Sequence, residues 1–158
     1  MATITANTGT NNWNTNGAWA GSVQPTAADD VIIPASSTVT IPTAITAFAR
    51  SVTLQSSGTL IFTTATSTLT IGHSTAGAGN VALSISSSAT LTYTASDAVI
   101  NLISTAATQQ TITTGGKTIS NMTINGAGSS YILTGNLTMT TGSTLTVSAG
   151  TFNTDNYD

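Results

Sequence analysis

Ser120-Asn121-Met122-Thr123-Ile124, Gly135-Asn136-Leu137-Thr138-Met139 and Gly142-Ser143-Thr144-Leu145-Thr146-Val147 follow one another near the end of the chain. Each is a variation on one theme. A turn or amide residue comes first, and then apolar and hydroxyl side chains alternate. Side chains on a strand point to opposite faces in turn, so a period of two puts Met, Ile, Leu and Val on one face and Thr on the other. The same pattern runs upstream in Thr38-Val39-Thr40-Ile41, Ser51-Val52-Thr53-Leu54, Ser67-Thr68-Leu69-Thr70-Ile71, Val81-Ala82-Leu83-Ser84-Ile85 and Ala89-Thr90-Leu91-Thr92-Tyr93. Thr is β-branched and stiff at χ1, which favours strands over helices. Between the runs lie turn residues such as Ser56-Ser57-Gly58, Gly77-Ala78-Gly79-Asn80, Gly115-Gly116 and Gly126-Ala127-Gly128.

The runs are short and recur about every 8 to 14 residues, which fits two all-β architectures. One is a single-stranded right-handed parallel β-helix, a solenoid whose coils each supply two or three short strands. The alternative is an antiparallel β-sandwich or jelly roll. Uniformly short strands, one-sided alternation and recurring hydroxyl and amide residues that could stack between coils favour the solenoid. Residues 1–35 differ from the rest. They hold Trp13, Trp19, an Asn-rich stretch and the pair Asp29-Asp30. This segment reads as an N-terminal cap and first coil, and residues 36–158 as the solenoid coils. Gly150 to Asp158 resembles the start of another coil, an expectation that the coils continue past the last residue or dock against a partner.

The stretch Trp13…Trp19-Ala20-Gly21…Pro25…Asp29-Asp30-Val31-Ile32-Ile33-Pro34…Ser37-Thr38-Val39-Thr40-Ile41 resembles the opening coils of parallel β-helix proteins. Such openings occur in G8-type domains and in repetitive surface or virion proteins of bacteria and phages. Gly115-Gly116-Lys117-Thr118-Ile119-Ser120-Asn121-Met122-Thr123-Ile124 is similar to later coils of the same proteins. The resemblance implies a solenoid fold and a place on a virion or cell surface. It carries over no catalytic residue.

Composition narrows the function. The chain has 158 residues, with two Lys+Arg, five Asp+Glu and a net charge of −3, but 36 Thr and 19 Ser. Two cations cannot neutralise a phosphate backbone, so no nucleic-acid partner is expected. No apolar run is long enough to span a membrane. There is no cysteine, so thiolate-held metals are excluded. The first residues lack the basic and apolar regions of a secretory signal. A protein made inside a cell for use outside it without a signal suits a phage particle, and the expected location is a virion or the cell surface.

Candidate sites are few. Polysaccharide-cleaving solenoids need paired carboxylates or a base beside metal ligands. Asp29 and Asp30 are the one carboxylate cluster in sequence, and on a strand they would face opposite ways. They are weak metal candidates. The plainer reading has one capping a turn and the other facing solvent. Asp97 reads as a turn residue, and Asp155 and Asp158 as remote partners of a further metal site. His73 has no companion ligand or nucleophile. Arg50 shares parity with Phe48 and Val52, so either the alternation slips there or Arg50 turns a corner. Trp13, Trp19, Tyr93, Tyr131 and Tyr157 are candidates for a stacking platform for sugar, and against that Trp13 and Trp19 fit as cap core.

These features predict a non-catalytic structural protein of a phage virion (tail, fibre or capsid decoration) or of an extracellular fibre, with no enzyme activity and no cofactor. Expected partners are further copies of the chain, a trimer being common among fibres, or other virion proteins. The alternative is a module binding glycan or cell surface. A polysaccharide-degrading enzyme and an ice-binding protein, the latter suggested by Thr-x-Thr runs, rank below both.

Overall fold

The computed structural model describes residues 1–64, 66–95 and 97–157. Every ladder between its strands is parallel, apart from one isolated antiparallel bridge between Ala6 and Trp19. The fold is a parallel β-helix, as the alternation predicts, and not the antiparallel alternative.

The strands are β1 (Thr3–Thr5), β2 (Gly9–Asn12), β3 (Asp30–Ile33), β4 (Ser37–Ile41), β5 (Thr46–Ala49), β6 (Ser51–Leu54), β7 (Thr59–Phe62) and β8 (Thr68–Ile71). They continue as β9 (Val81–Ile85), β10 (Thr90–Tyr93), β11 (Val99–Leu102), β12 (Gln110–Thr113), β13 (Thr118–Ile119), β14 (Asn121–Leu133), β15 (Thr138–Met139) and β16 (Leu145–Asn153). The chain winds through three ladders in turn. The first ladder stacks β1, β3, β6, β9, β12 and the end of β14. The second stacks β2, β4, β7 and β10, with β13 and β15 following as a separate pair. The third stacks β5, β8, β11, the start of β14 and the start of β16. The long strands β14 and β16 run around the corner between the third ladder and the first, so these two ladders form one curled sheet.

Register explains the alternation. Ile4, Val31, Val52, Leu83, Ile112 and Leu133 fall on one another through successive coils, and all are buried. On the third ladder Ala49, Ile71, Leu102 and Ile124 form a second buried stack. Each wholly buried Leu or Ile contributes roughly 1.5–3 kcal/mol by leaving water. The outward positions carry hydroxyls, as in the row Thr10, Thr38, Thr59 and Thr90.

Coil length varies at the corners. Arg50 alone joins β5 to β6, whereas residues 72–80 join β8 to β9 and residues 103–109 join β11 to β12. Backbones crowd at this corner. A Cβ on Gly126 would lie 1.9 Å from the Ser104 carbonyl oxygen, and one on Gly72 would lie 2.2 Å from the Ser104 nitrogen. Gly126→Ala is expected to cost about 1–3 kcal/mol in urea unfolding, because the strain of overpacking falls on main chain. Gly135, with nothing within 4 Å of an added Cβ, is the control. Gly135→Ala should unfold with the wild-type midpoint.

Residues 13–29 link β2 to β3 and contain two short 3-10 turns, Asn16–Ala18 and Ala20–Ser22. They are tied down by bonds from the Asn7 N–H to the Ala18 carbonyl and from the Trp13 N–H to the Thr40 carbonyl.

Candidate functional sites

The acidic pair divides its labour. Asp29 caps a turn: Oδ2 accepts from the Thr26 hydroxyl at 2.6 Å and the Thr26 N–H at 3.1 Å, and Oδ1 accepts from the Ala2 N–H. Its partial burial pushes the carboxyl pKa up. The bonds from Thr26 and Ala2 outweigh that and hold it below the ordinary carboxylate value.

Asp30 does not face solvent as the plainer sequence reading has it. It is buried and paired with Arg50. The Arg50 Nε donates to Oδ1 at 2.9 Å, and Nη2 closes the second arm of the fork on Oδ2. The Ser51 hydroxyl donates to Oδ1 at 2.5 Å, and the Ala78 N–H from the 72–80 loop donates to Oδ2 at 3.2 Å. Arg50 breaks the alternation because it is the whole of a one-residue corner. Asp30 sits one coil earlier, against the side of that corner, so the two meet. Both oxygens of Asp30 are engaged, and the pair works as a clasp between neighbouring coils. Nothing in the sequence pairing of Asp29 with Asp30 announces this partner. The usable signal is that Arg50 interrupts the pattern about one coil length after a carboxylate.

Trp13 and Trp19 are wholly buried, so neither offers a face to a sugar. Their rings meet edge to face with centroids 5.0 Å apart, and Trp19 Nε1 donates to the Trp13 carbonyl at 2.9 Å. They are core.

His73 stands in the 72–80 loop, where its Nδ1 lies 3.1 Å from the Thr75 hydroxyl. Asp155 is exposed in a turn, and its N–H donates to the Asn153 side chain. Asp158 lies outside the described residues, as does Ser96 beside the exposed Asp97. Among the described residues no three His, Cys, Asp or Glu side chains converge, and no helix is long and apolar enough to cross a membrane.

A feature the sequence reading missed lies on the second ladder. Residues 94–98 link β10 to β11 and residues 140–144 link β15 to β16, but Ser120 alone links β13 to β14. The coil carrying β13 is therefore drawn in between its neighbours, and a notch of about 380 Å³ opens there. Leu91 and Tyr93 line it, although their register partners Leu60 and Phe62 are buried core. Thr94, Lys117, Ser120 and Thr140 complete most of the wall. Tyr93 stacks on Phe62 with ring centroids 4.9 Å apart. Its buried hydroxyl has no partner of good geometry, with the Ser120 main chain beside it. Burial drives the Tyr93 phenol pKa far above its usual range, and the Ser120 main chain only partly opposes this. The sequence signal for the notch is an omission, one linking residue where neighbouring coils have five.

Residues 18–149 match the family model described as the G8 domain. No curated protein and no solved structure matches. The matched span takes in the Asp30–Arg50 clasp, the notch and all but the edges of the coil stack, and the chain belongs to the G8 domain family.

Proposed function

We propose that this chain is a non-catalytic structural module of a fibre or particle surface, a phage virion or an extracellular fibre, that assembles through its last coil. The observation that carries this reading is the exposure of residues in the register of the core. Leu145 and Val147 stack on buried Met122 and Ile124, yet are 38% and 48% exposed. Among the described residues no strand pairs with the outer edge of β16. An uncovered core row beside an unpaired strand edge is a template for another strand. At the other end β1, β2 and β5 also carry no strand on their outer edges among the described residues, so the open edge of β16 can meet either the β16 edge or the first coil of a second copy. Like edge on like edge is isologous and closes as a dimer, whereas last coil on first coil is heterologous and extends head to tail as a fibre does. The scarcity of charge supports the same reading, because a surface of hydroxyls and apolar rows packs against a copy of itself without burying ions.

Sedimentation velocity over a range of concentrations tests the assembly. The wild type should shift from monomer to dimer or longer species, and Val147→Lys should remain monomeric with an unchanged circular dichroism spectrum. A wild type that stays monomeric throughout removes the assembly reading. Immunogold labelling of particles and cells from the source culture tests the location: label confined to the cell interior excludes a virion or surface role.

A further inference from the structure

The geometry points to the notch between β10 and β13 as a carbohydrate subsite that takes one pyranose unit. A solenoid normally covers each inward aromatic with the next coil. Phe62 lies against one face of the Tyr93 ring. The coil that should cover the other face is the one shortened at Ser120, and the ring lines the resulting opening. A half-buried aromatic side chain lining a concave site is what the apolar face of a sugar ring packs against.

The walls supply the rest of the chemistry. The Thr94 and Thr140 hydroxyls line the notch but already donate to the Phe62 and Ile119 carbonyls, so toward a ligand they serve as acceptors, while Ser120 is wholly buried. The Tyr93 hydroxyl is buried and out of a ligand's reach, so this residue offers the notch its apolar part only. Lys117 stands at the mouth. One of its ammonium hydrogens is fixed on the Ser87 carbonyl at 2.8 Å, which leaves two donors for a sugar hydroxyl or carboxylate. The volume lies at the small end of the range for ligand sites, which suits a single ring. A few polar groups around an apolar floor is also the usual composition of such sites.

Titration of the ¹⁵N-labelled full chain tests this. The probes are the methyl pyranosides of glucose, galactose and mannose and the corresponding uronic acids. At least one is expected to give saturable amide shifts confined to Thr92–Ala95, Lys117–Ser120 and Thr140. Tyr93→Leu keeps an apolar inward residue but removes the stacking face, and Lys117→Gln removes the ammonium at a partly exposed site. Each should weaken binding about tenfold, as loss of roughly 1.4 kcal/mol implies. A uronic acid that binds more tightly than its neutral counterpart, and loses that advantage in Lys117→Gln, would place a carboxylate on Lys117. Equal binding would place a hydroxyl there. Absence of saturable shifts at these amides with every probe overturns the assignment, as does unchanged affinity in Lys117→Gln and Tyr93→Leu. If Tyr93→Leu fails to fold, Lys117→Gln decides alone.

Discussion

Trp19→Ala is expected to lower the unfolding free energy by about 3–5 kcal/mol, the usual cost of removing a wholly buried large aromatic. Domains of this kind are stable by only about 5–15 kcal/mol, so the variant should be near the limit of folding at 37 °C. The reason lies in what the ring holds. Its edge packs on Trp13 at 5.0 Å, its Nε1 donates to the Trp13 carbonyl, and its backbone bridges to Ala6 beside β1. Removing it leaves a void beside Trp13 and loosens residues 13–29 from the first coil. The conservative variants separate packing from hydrogen bonding. Trp19→Phe loses a satisfied donor, whereas Trp13→Phe removes an indole N–H that is buried without a partner. Trp13→Phe should therefore be the milder of the two, by about 1 kcal/mol. Urea unfolding followed by the far-ultraviolet β signal measures all three. A loss below 1 kcal/mol in Trp19→Ala would mean that residues 13–29 are not coupled to the coils.

The strands were legible because each inward residue has to match the residue above and below it. Val39, Leu60 and Leu91 lie in one column, and the alternation in their three strands predicts their inward side correctly. The coil period was not legible. Thr38 pairs with Thr59 and Thr59 with Thr90, steps of 21 and 31 residues. The second step is lengthened by residues 72–80, and an insertion at a corner leaves the ladders intact while erasing any fixed repeat. The sites were hidden for related reasons. The clasp joins Asp30 to Arg50, which are neighbours only once the coil length is known. The notch depends on the brevity of the Ser120 link relative to the coils on either side, and so leaves no motif. Asp29 was readable, since a carboxylate three residues after Thr26 is a common local turn cap. Trp13 and Trp19 were ambiguous because buried and ligand-facing aromatics look the same in sequence.

Arg50→Ala is the second large effect, with an expected loss of about 3–5 kcal/mol. The guanidinium and carboxylate side chains are only 11% and 7% exposed. Removing the cation leaves Asp30 with the Ser51 hydroxyl and the Ala78 N–H as its partners, which is too little for a desolvated charge. Arg50→Lys should recover only part of the loss, because a point charge cannot reproduce the two-armed fork. Asp30→Ala should be as costly as Arg50→Ala, for it strands the guanidinium in turn. The double variant Asp30→Val with Arg50→Leu should be more stable than either single variant, because apolar side chains carry no desolvation penalty. That coupling, read from urea unfolding of the four proteins, isolates the pair from the rest of the corner. Added salt should barely change the wild-type value, since buried charges are poorly screened. The clasp also reaches the 72–80 loop, where the Ala78 N–H is bound to Asp30 and Gly77 lies too close to Ser51 to accept a side chain. Hydrogen exchange should therefore accelerate at Ala78 in Asp30→Ala before the first ladder opens. If exchange at Ala78 is unchanged and Arg50→Ala costs less than 1 kcal/mol, Asp30 and Arg50 do not hold the coils together.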